Sequence, residues 1–198
     1  MEQPPAAAAL SPWERRLVVA ADRFIYWLTR HWLALLSALL TLFLGLALLT
    51  PVLQAWGYDG LGRTLFRAYH RVCHQRPERS FFIMGRQVAF CQRDVGEFAG
   101  FLLGSGLYAA SRRRLRLRNA RLYLMVFVTP IAVDGITQLL GLRESNWWLR
   151  LTTGIWFGAG TVLLVYPRIN AAMLDTRREL EVRFGVGLAR LGVAAPRG

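Results

Sequence analysis

Cys73 and Cys91 are the only thiols in this chain. Cys73 is followed directly by His74 and stands three residues after His70, while Cys91 precedes Asp94 by three. On a helix, two histidines four apart share a face with the cysteine beside them, a spacing that offers two imidazoles and a thiolate to one ion. Cys91 and Asp94 can close such a set from further along the chain. Cys73, His74, Cys91 and Asp94 are therefore candidate metal ligands. A competing reading joins the two cysteines as a disulfide facing an oxidising compartment, or leaves them as inert thiols beside interfacial histidines. Arg67, Arg71, Arg76 and Arg93 lie near in sequence and oppose a cation.

A second group of polar residues falls inside apolar runs. A charge at membrane depth costs roughly 2.5–3.5 kcal/mol on insertion scales, so Asp134, Glu97, Gln138 and Arg150 each need a partner or a purpose. Asp134 and Gln138 are one helical turn apart and share a face. At 1.5 Å per residue they lie about 12 Å and about 6 Å below the end of their helix. Arg150 and Glu97 begin neighbouring apolar stretches at a similar level. Asp134, Glu97 and Gln138 are the candidates for acid–base or polar catalysis; Arg79, Arg93, Arg143, Arg150 and Asn146 are candidates to hold an anionic group. The plainer alternative makes Asp134 and Arg150 a structural ion pair, with Gln138 hydrogen-bonded between helices.

These residues must be positioned by membrane helices. Apolar residues make up 54% of the 198, mean hydropathy is +0.29, and the net charge of +13 is confined to blocks between long uncharged runs. An all-α, polytopic fold of four transmembrane helices follows, with spans at 32–53, 95–111, 122–142 and 147–166. The second is short and glycine-rich, with Gly96, Gly100 and Gly104 on one face, and the third is interrupted by Thr129-Pro130. Amphipathic interfacial helices are expected at the N-terminus, in the first loop and at the C-terminus. Trp13, Leu17, Ala20, Phe24 and Leu28 mark the first, and Leu61, Leu65, Tyr69 and Val72 the second, which Pro77 ends. The organisation is thus 1–31, a tail and interfacial helix; 32–168, the transmembrane domain with its Cys/His loop at 54–94; and 169–198, a cytoplasmic helix and tail.

Every basic residue is arginine. Sixteen flank one side of these spans and eight the other, which places both termini in the cytoplasm and the Cys/His loop outside. The first apolar run is too long for the core of a secretory signal peptide, so it stays as an anchor in the cell membrane. No nucleic-acid motif accompanies the charge, and lipid headgroups are the acidic partner it suits, with a homo-oligomer or a larger membrane complex as further partners.

The ordered motifs Cys73-His74-Gln75, Arg79-Ser80-Phe81, Gly85, Gln87, Cys91, Arg93, Gly96, Asp134-Gly135, Thr137-Gln138, the stretch 141–146, Leu149-Arg150 and Thr153-Gly154 resemble a prokaryotic family. It is the membrane-protein family known as domain of unknown function number two thousand and eighty-five. The resemblance implies a multi-pass membrane protein and no particular reaction. The family's usual second motif reads Cys-Ala-Arg-Cys, which implies a zinc-type site with Cys73 and His74; here the segment is Cys91-Gln92-Arg93-Asp94, so aspartate stands where the fourth ligand would be. Three functional classes fit these residues. The first is an outward-facing polar, metal-binding site that binds or processes a lipid or other anionic amphipathic molecule. The second is a non-enzymatic subunit or assembly factor, and the third a small proton-coupled transporter working through Asp134. No nucleophile elbow, phosphate loop or zincin helix marks an enzyme.

Overall fold

The computed structural model describes residues 11–190, with side chains through Phe184. Helix α1 (Pro12–Ala55) is followed by α2 (Asp59–Tyr69), a single 3-10 turn (Pro77–Arg79) and an antiparallel hairpin of β1 (Ser80–Ile83) and β2 (Arg86–Cys91). Then come α3 (Gln92–Ala110), α4 (Ala120–Tyr123), a π turn (Leu124–Val128), α5 (Thr129–Leu139) and α6 (Trp147–Arg190). The described residues form two compact units, one of residues 11–33 with 169–190 and one of 34–168. Among the described residues, three helical stretches are long and apolar enough to cross a membrane: Pro12–Ala55, Ala120–Leu139 and Trp147–Phe184. Leu39, Leu42, Leu103, Leu107, Val133, Ile136 and Leu139 are each more than half exposed, an apolar outer surface suited to lipid rather than water.

The fold departs from the sequence expectation in three places. The segment before the first span and the segment after the fourth are continuous with those spans, since α1 and α6 each run unbroken for 44 residues. The first-loop helix ends at Tyr69, before His70 and His74 can share a face. The chain is also not purely α. β1 and β2 are joined by Met84 and Gly85, both at positive φ (51° and 70°), the two-residue turn whose twist matches that of a hairpin. The signal lies in Phe81-Phe82-Ile83 and Val88-Ala89-Phe90, two β-favouring runs flanking a short turn that contains glycine.

Three prolines interrupt apolar helices, and each removes the N–H that would bond the carbonyl four residues earlier. Each freed carbonyl has found another donor. Thr50 Oγ1 donates to Ala47 O at 2.8 Å beside Pro51. Trp156 Nε1 donates to Val126 O at 2.8 Å opposite Pro130. Leu117 N donates to Leu163 O at 2.8 Å above Pro167. Helices in lipid have no water to cover such gaps, so proline is kept only where the protein supplies the donor.

In the unit of 34–168, α3 packs on α6 through reciprocal glycines. A Cβ at Gly96 would strike the backbone of Leu151, one at Gly100 that of Ile155, and one at Gly104 would press on Val162 and Ala159; from the other side, Gly154 and Gly158 abut the backbone from Arg93 to Phe101. The partner numbers rise together, so the two helices run parallel. The seam continues to Ser105 Oγ and Tyr166 Oη, 2.9 Å apart. Near the start of α3, Phe43, Tyr69, Phe90 and Phe98 pack with ring centroids 4.9–5.5 Å apart, which ties α1, α2, β2 and α3 together. In the unit of 11–33 and 169–190, Ser11 and Glu14 form a reciprocal capping box. The two helical segments there meet through Tyr26 to Glu181 (3.2 Å) and Arg183 to Asp22 (3.6 Å). Trp13, Leu17 and Phe24 are more than 60% exposed.

Candidate functional site

Four consecutive residues at the start of α3 link two polar clusters. Cys91 caps the helix, its sulfur accepting from Asp94 N at 3.5 Å. Gln92 accepts a hydrogen bond from Arg150 Nη1 at 2.9 Å and donates to Ser80 O at 3.2 Å. Arg93 reaches the carboxylate of Asp134. These contacts exist because the hairpin delivers the chain to the top of α3 with Cys91 still extended and the next residue already helical.

The arginine cluster is built around Asp134, which is 1% exposed. Arg93 pairs with Oδ2 and Arg143 Nη2 with Oδ1 at 2.8 Å; Arg143 Nε also donates to Thr137 Oγ1 at 3.0 Å. Gly135 leaves room for the Arg93 guanidinium, whose Nη1 would lie 3.4 Å from a Cβ there. Ser145 is buried in the turn before α6, and among the described residues its Oγ meets no hydrogen-bond partner. Arg150 is 4% exposed and bonds Gln92 and, at 3.4 Å, Glu78 O. It lies within electrostatic reach of Arg79, Arg93, Asp134 and Glu144. Among the described residues, no acceptor meets the buried Nε–H of Arg79, Arg93 or Arg150, nor the Gln138 amide nitrogen. Arg93 and Arg143 thus share one fully engaged carboxylate, with Arg150 within reach of its charge and buried guanidinium donors to spare.

Asp134 therefore takes Arg93 and Arg143 as direct partners, and not the expected Arg150. The reason is local: the carbonyl of Glu78, in the 3-10 turn before β1, and the side chain of Gln92 engage Arg150, while the first turn of α3 brings Arg93 to Asp134. Gln138 is buried one turn from Asp134. Glu97 stands one turn beyond Arg93, within reach of the charges of Arg93 and Asp94. Asn146 is exposed, and its Oδ1 accepts from Leu149 N at 3.1 Å, capping α6. Sequence reasoning passed over Gln75, Gln87 and Gln92 as site residues. Gln75 holds a positive φ of 49° and bonds Phe66 O and Ala89 O; Gln87 bonds Gln75 O and Ser80 Oγ. These amides pin the loop to the hairpin, and their signal was their place inside the motifs of the resemblance.

The second cluster joins Cys73, His74 and Cys91, whose ligand atoms all lie within 4.8 Å of one another. Both cysteines are buried and free. Cys91 N donates to Cys73 Sγ at 3.1 Å. A hydrogen bond from the Cys91 thiol holds the Cys73 pKa below its ordinary value, and the same bond, with burial, pushes Cys91 up. Desolvation lowers the pKa of His74, whose side chain is the exposed member of the group, below its ordinary value. The Asp94 carboxylate lies outside the 4.8 Å group while acting on both Cys73 and His74, and His70 is exposed outside it.

Apolar helices capped by a hydrogen-bonded hairpin and a buried ionic cluster define a helical membrane protein. A family model described as "Predicted membrane protein (DUF2085)" matches residues 73–164. An uncharacterized protein of Methanocaldococcus jannaschii is 41% identical over 105 residues, 52% of this chain and 67% of the relative. An uncharacterized protein of Methanothermobacter thermautotrophicus is 35% identical over 96 residues, 48% of this chain and 86% of the relative. The chain belongs to this family of membrane proteins. No solved structure matches it.

Proposed function

We propose that this is a four-span protein of the cell membrane, with both termini in the cytoplasm, whose arginine cluster binds the anionic group of a lipid or similar amphipathic molecule from the outer side. The fourth span is α3. It is 19 residues long, about 28 Å at 1.5 Å per residue, which approaches the roughly 30 Å hydrocarbon core. Its parallel seam with α6 supports this assignment, because the second and fourth spans of an up-and-down bundle run in the same direction. The segments at 12–31 and 169–184 then carry interfacial faces, in keeping with exposed Trp13, Leu17 and Phe24.

The observation that carries the binding reading is the excess of buried guanidinium donors over carboxylate around Asp134. Both carboxylate oxygens are engaged by arginine, which leaves Asp134 poorly placed to move a proton and favours binding over processing. Arg79, Arg93 and Arg150 keep donors for an incoming phosphate or carboxylate, and the surrounding apolar helix faces suit an acyl chain. Orientation is tested by a fluorescent reporter fused after Gly198, which lights up only in the cytoplasm, and by labelling of a cysteine introduced at Tyr58 with an impermeant reagent in intact cells. Binding is tested on purified protein titrated with phosphatidylglycerol, phosphatidylcholine and inorganic phosphate. Each charge-assisted bond is worth about 1.5–3 kcal/mol, so Arg79→Ala should weaken phosphatidylglycerol binding about tenfold or more while exposed Arg76→Ala leaves it unchanged. Equal affinity for the zwitterionic lipid, or equal effects of the two variants, would refute the reading. Binding of inorganic phosphate as tightly as the lipid would retain the anion and reject the amphiphile.

A further inference from the structure

We infer that Cys73, His74 and Cys91 form a centre for one divalent, thiophilic metal ion of the zinc class, which clamps the loop after α2 to the first turn of α3. This centre stands apart from the anion-binding reading and does not depend on it. In a tetrahedral zinc site with bonds of about 2.3 Å to sulfur and about 2.0 Å to nitrogen, ligand atoms sit about 3.6–3.8 Å apart. The three ligand atoms already lie within 4.8 Å of one another, so side-chain rotation of under about an ångström closes the site, with no backbone rearrangement.

Two further observations suit these sulfurs to metal ligation. Each sulfur faces a backbone N–H, Cys91 N to Cys73 Sγ at 3.1 Å and Asp94 N to Cys91 Sγ at 3.5 Å. Such N–H···S contacts stabilise negative charge on sulfur and orient it, which is the task of the outer shell of a metal site. The cysteines are buried yet unlinked, against an aromatic wall of Phe90 and Tyr69 that excludes water. Two thiolates balance a divalent ion. The positive field of Arg76 and Arg79 at His74 is opposed by the carboxylates of Asp94 and Glu78. With three protein ligands, the fourth position is left beside Asp94 for water or an added donor, as in open rather than closed zinc sites.

The test uses the full-length protein purified under reducing conditions without chelator. Elemental analysis should find about one zinc per chain, and both cysteines should resist thiol reagents until the metal is stripped. Reloading with cobalt(II) should give the sulfur-to-cobalt charge-transfer absorption of a thiolate site. Cys73→Ser and Cys91→Ser should each lose the ion. A lost ion could reflect a misfolded variant, so His74→Cys is the decisive change: it should keep one ion per chain and strengthen the charge-transfer band by adding a third sulfur. No metal in the purified protein together with no cobalt band on loading would overturn the proposal, as would a Cys73–Cys91 disulfide in a parallel preparation made without reductant. An ion that persists in Cys73→Ser and Cys91→Ser alike would overturn it too.

Discussion

Gly100 and Gly106 lie on the same helix, yet the same substitution should act in opposite directions at the two. A Cβ at Gly100 would overlap Ile155 O and come within 2.9 Å of the carbonyl carbon and Cα of Ile155, all of it backbone that cannot rotate aside. The only relief is to move α3 and α6 apart, which loosens the contacts of Gly96, Gly104, Gly154 and Gly158 along the whole seam. Overpacking of this kind costs about 3 kcal/mol. The better helix propensity of alanine returns about 1 kcal/mol, leaving Gly100→Ala about 2 kcal/mol less stable than the native chain, roughly thirtyfold in the unfolding equilibrium. A Cβ at Gly106 meets nothing within 4 Å, so Gly106→Ala should keep the propensity gain alone and be neutral to slightly stabilising. Titration of the purified protein with SDS in mixed micelles, followed by tryptophan fluorescence and circular dichroism, measures both. Adding Gly158→Ala to Gly100→Ala should cost less than the sum, because one separation of the helices relieves both clashes. If Gly100→Ala and Gly106→Ala unfold at the same SDS fraction, the parallel glycine seam is wrong, and with it the placement of α3 beside α6.

Removal of the buried carboxylate in Asp134→Ala leaves two guanidiniums unpaired and should cost about 3 kcal/mol, whereas Arg143→Ala should cost about 1 kcal/mol because Arg143 is 39% exposed; the reverse order in the same SDS titration would reject the proposed hub. Trp156→Phe keeps the ring and deletes the N–H that serves Val126 O beside Pro130, so it should destabilise by about 1–2 kcal/mol. Combining it with Pro130→Ala, which restores a backbone N–H in the same helix, should recover most of that loss; full additivity of the two changes would show that the carbonyl has no such role.

Much of the molecule was legible in its sequence because the membrane imposes a one-dimensional code. Apolar runs of sufficient length must be helices, since lipid offers backbone groups no other partner, and so three of the four expected spans can be read from composition alone. The buried positions of Asp134, Gln138 and Arg150 followed from the same rule, and Gly96, Gly100 and Gly104 announced a close contact without naming its other side. What the sequence left open were the choices between partners. Asp134 was expected to pair with Arg150, but the 3-10 turn and the first turn of α3 engage Arg150 through Glu78 O and Gln92 and leave Asp134 to Arg93 and Arg143. His70 and His74 were expected to share a helix face, but the helix ends at Tyr69 and only His74 lies with Cys73 and Cys91. The donors that cover the carbonyls freed by Pro130 and Pro167 come from residues 30 and 46 positions away. Local periodicity determines whether a residue is buried; which residue it meets depends on how distant segments pack, and that is decided only when the helices and hairpin close on one another.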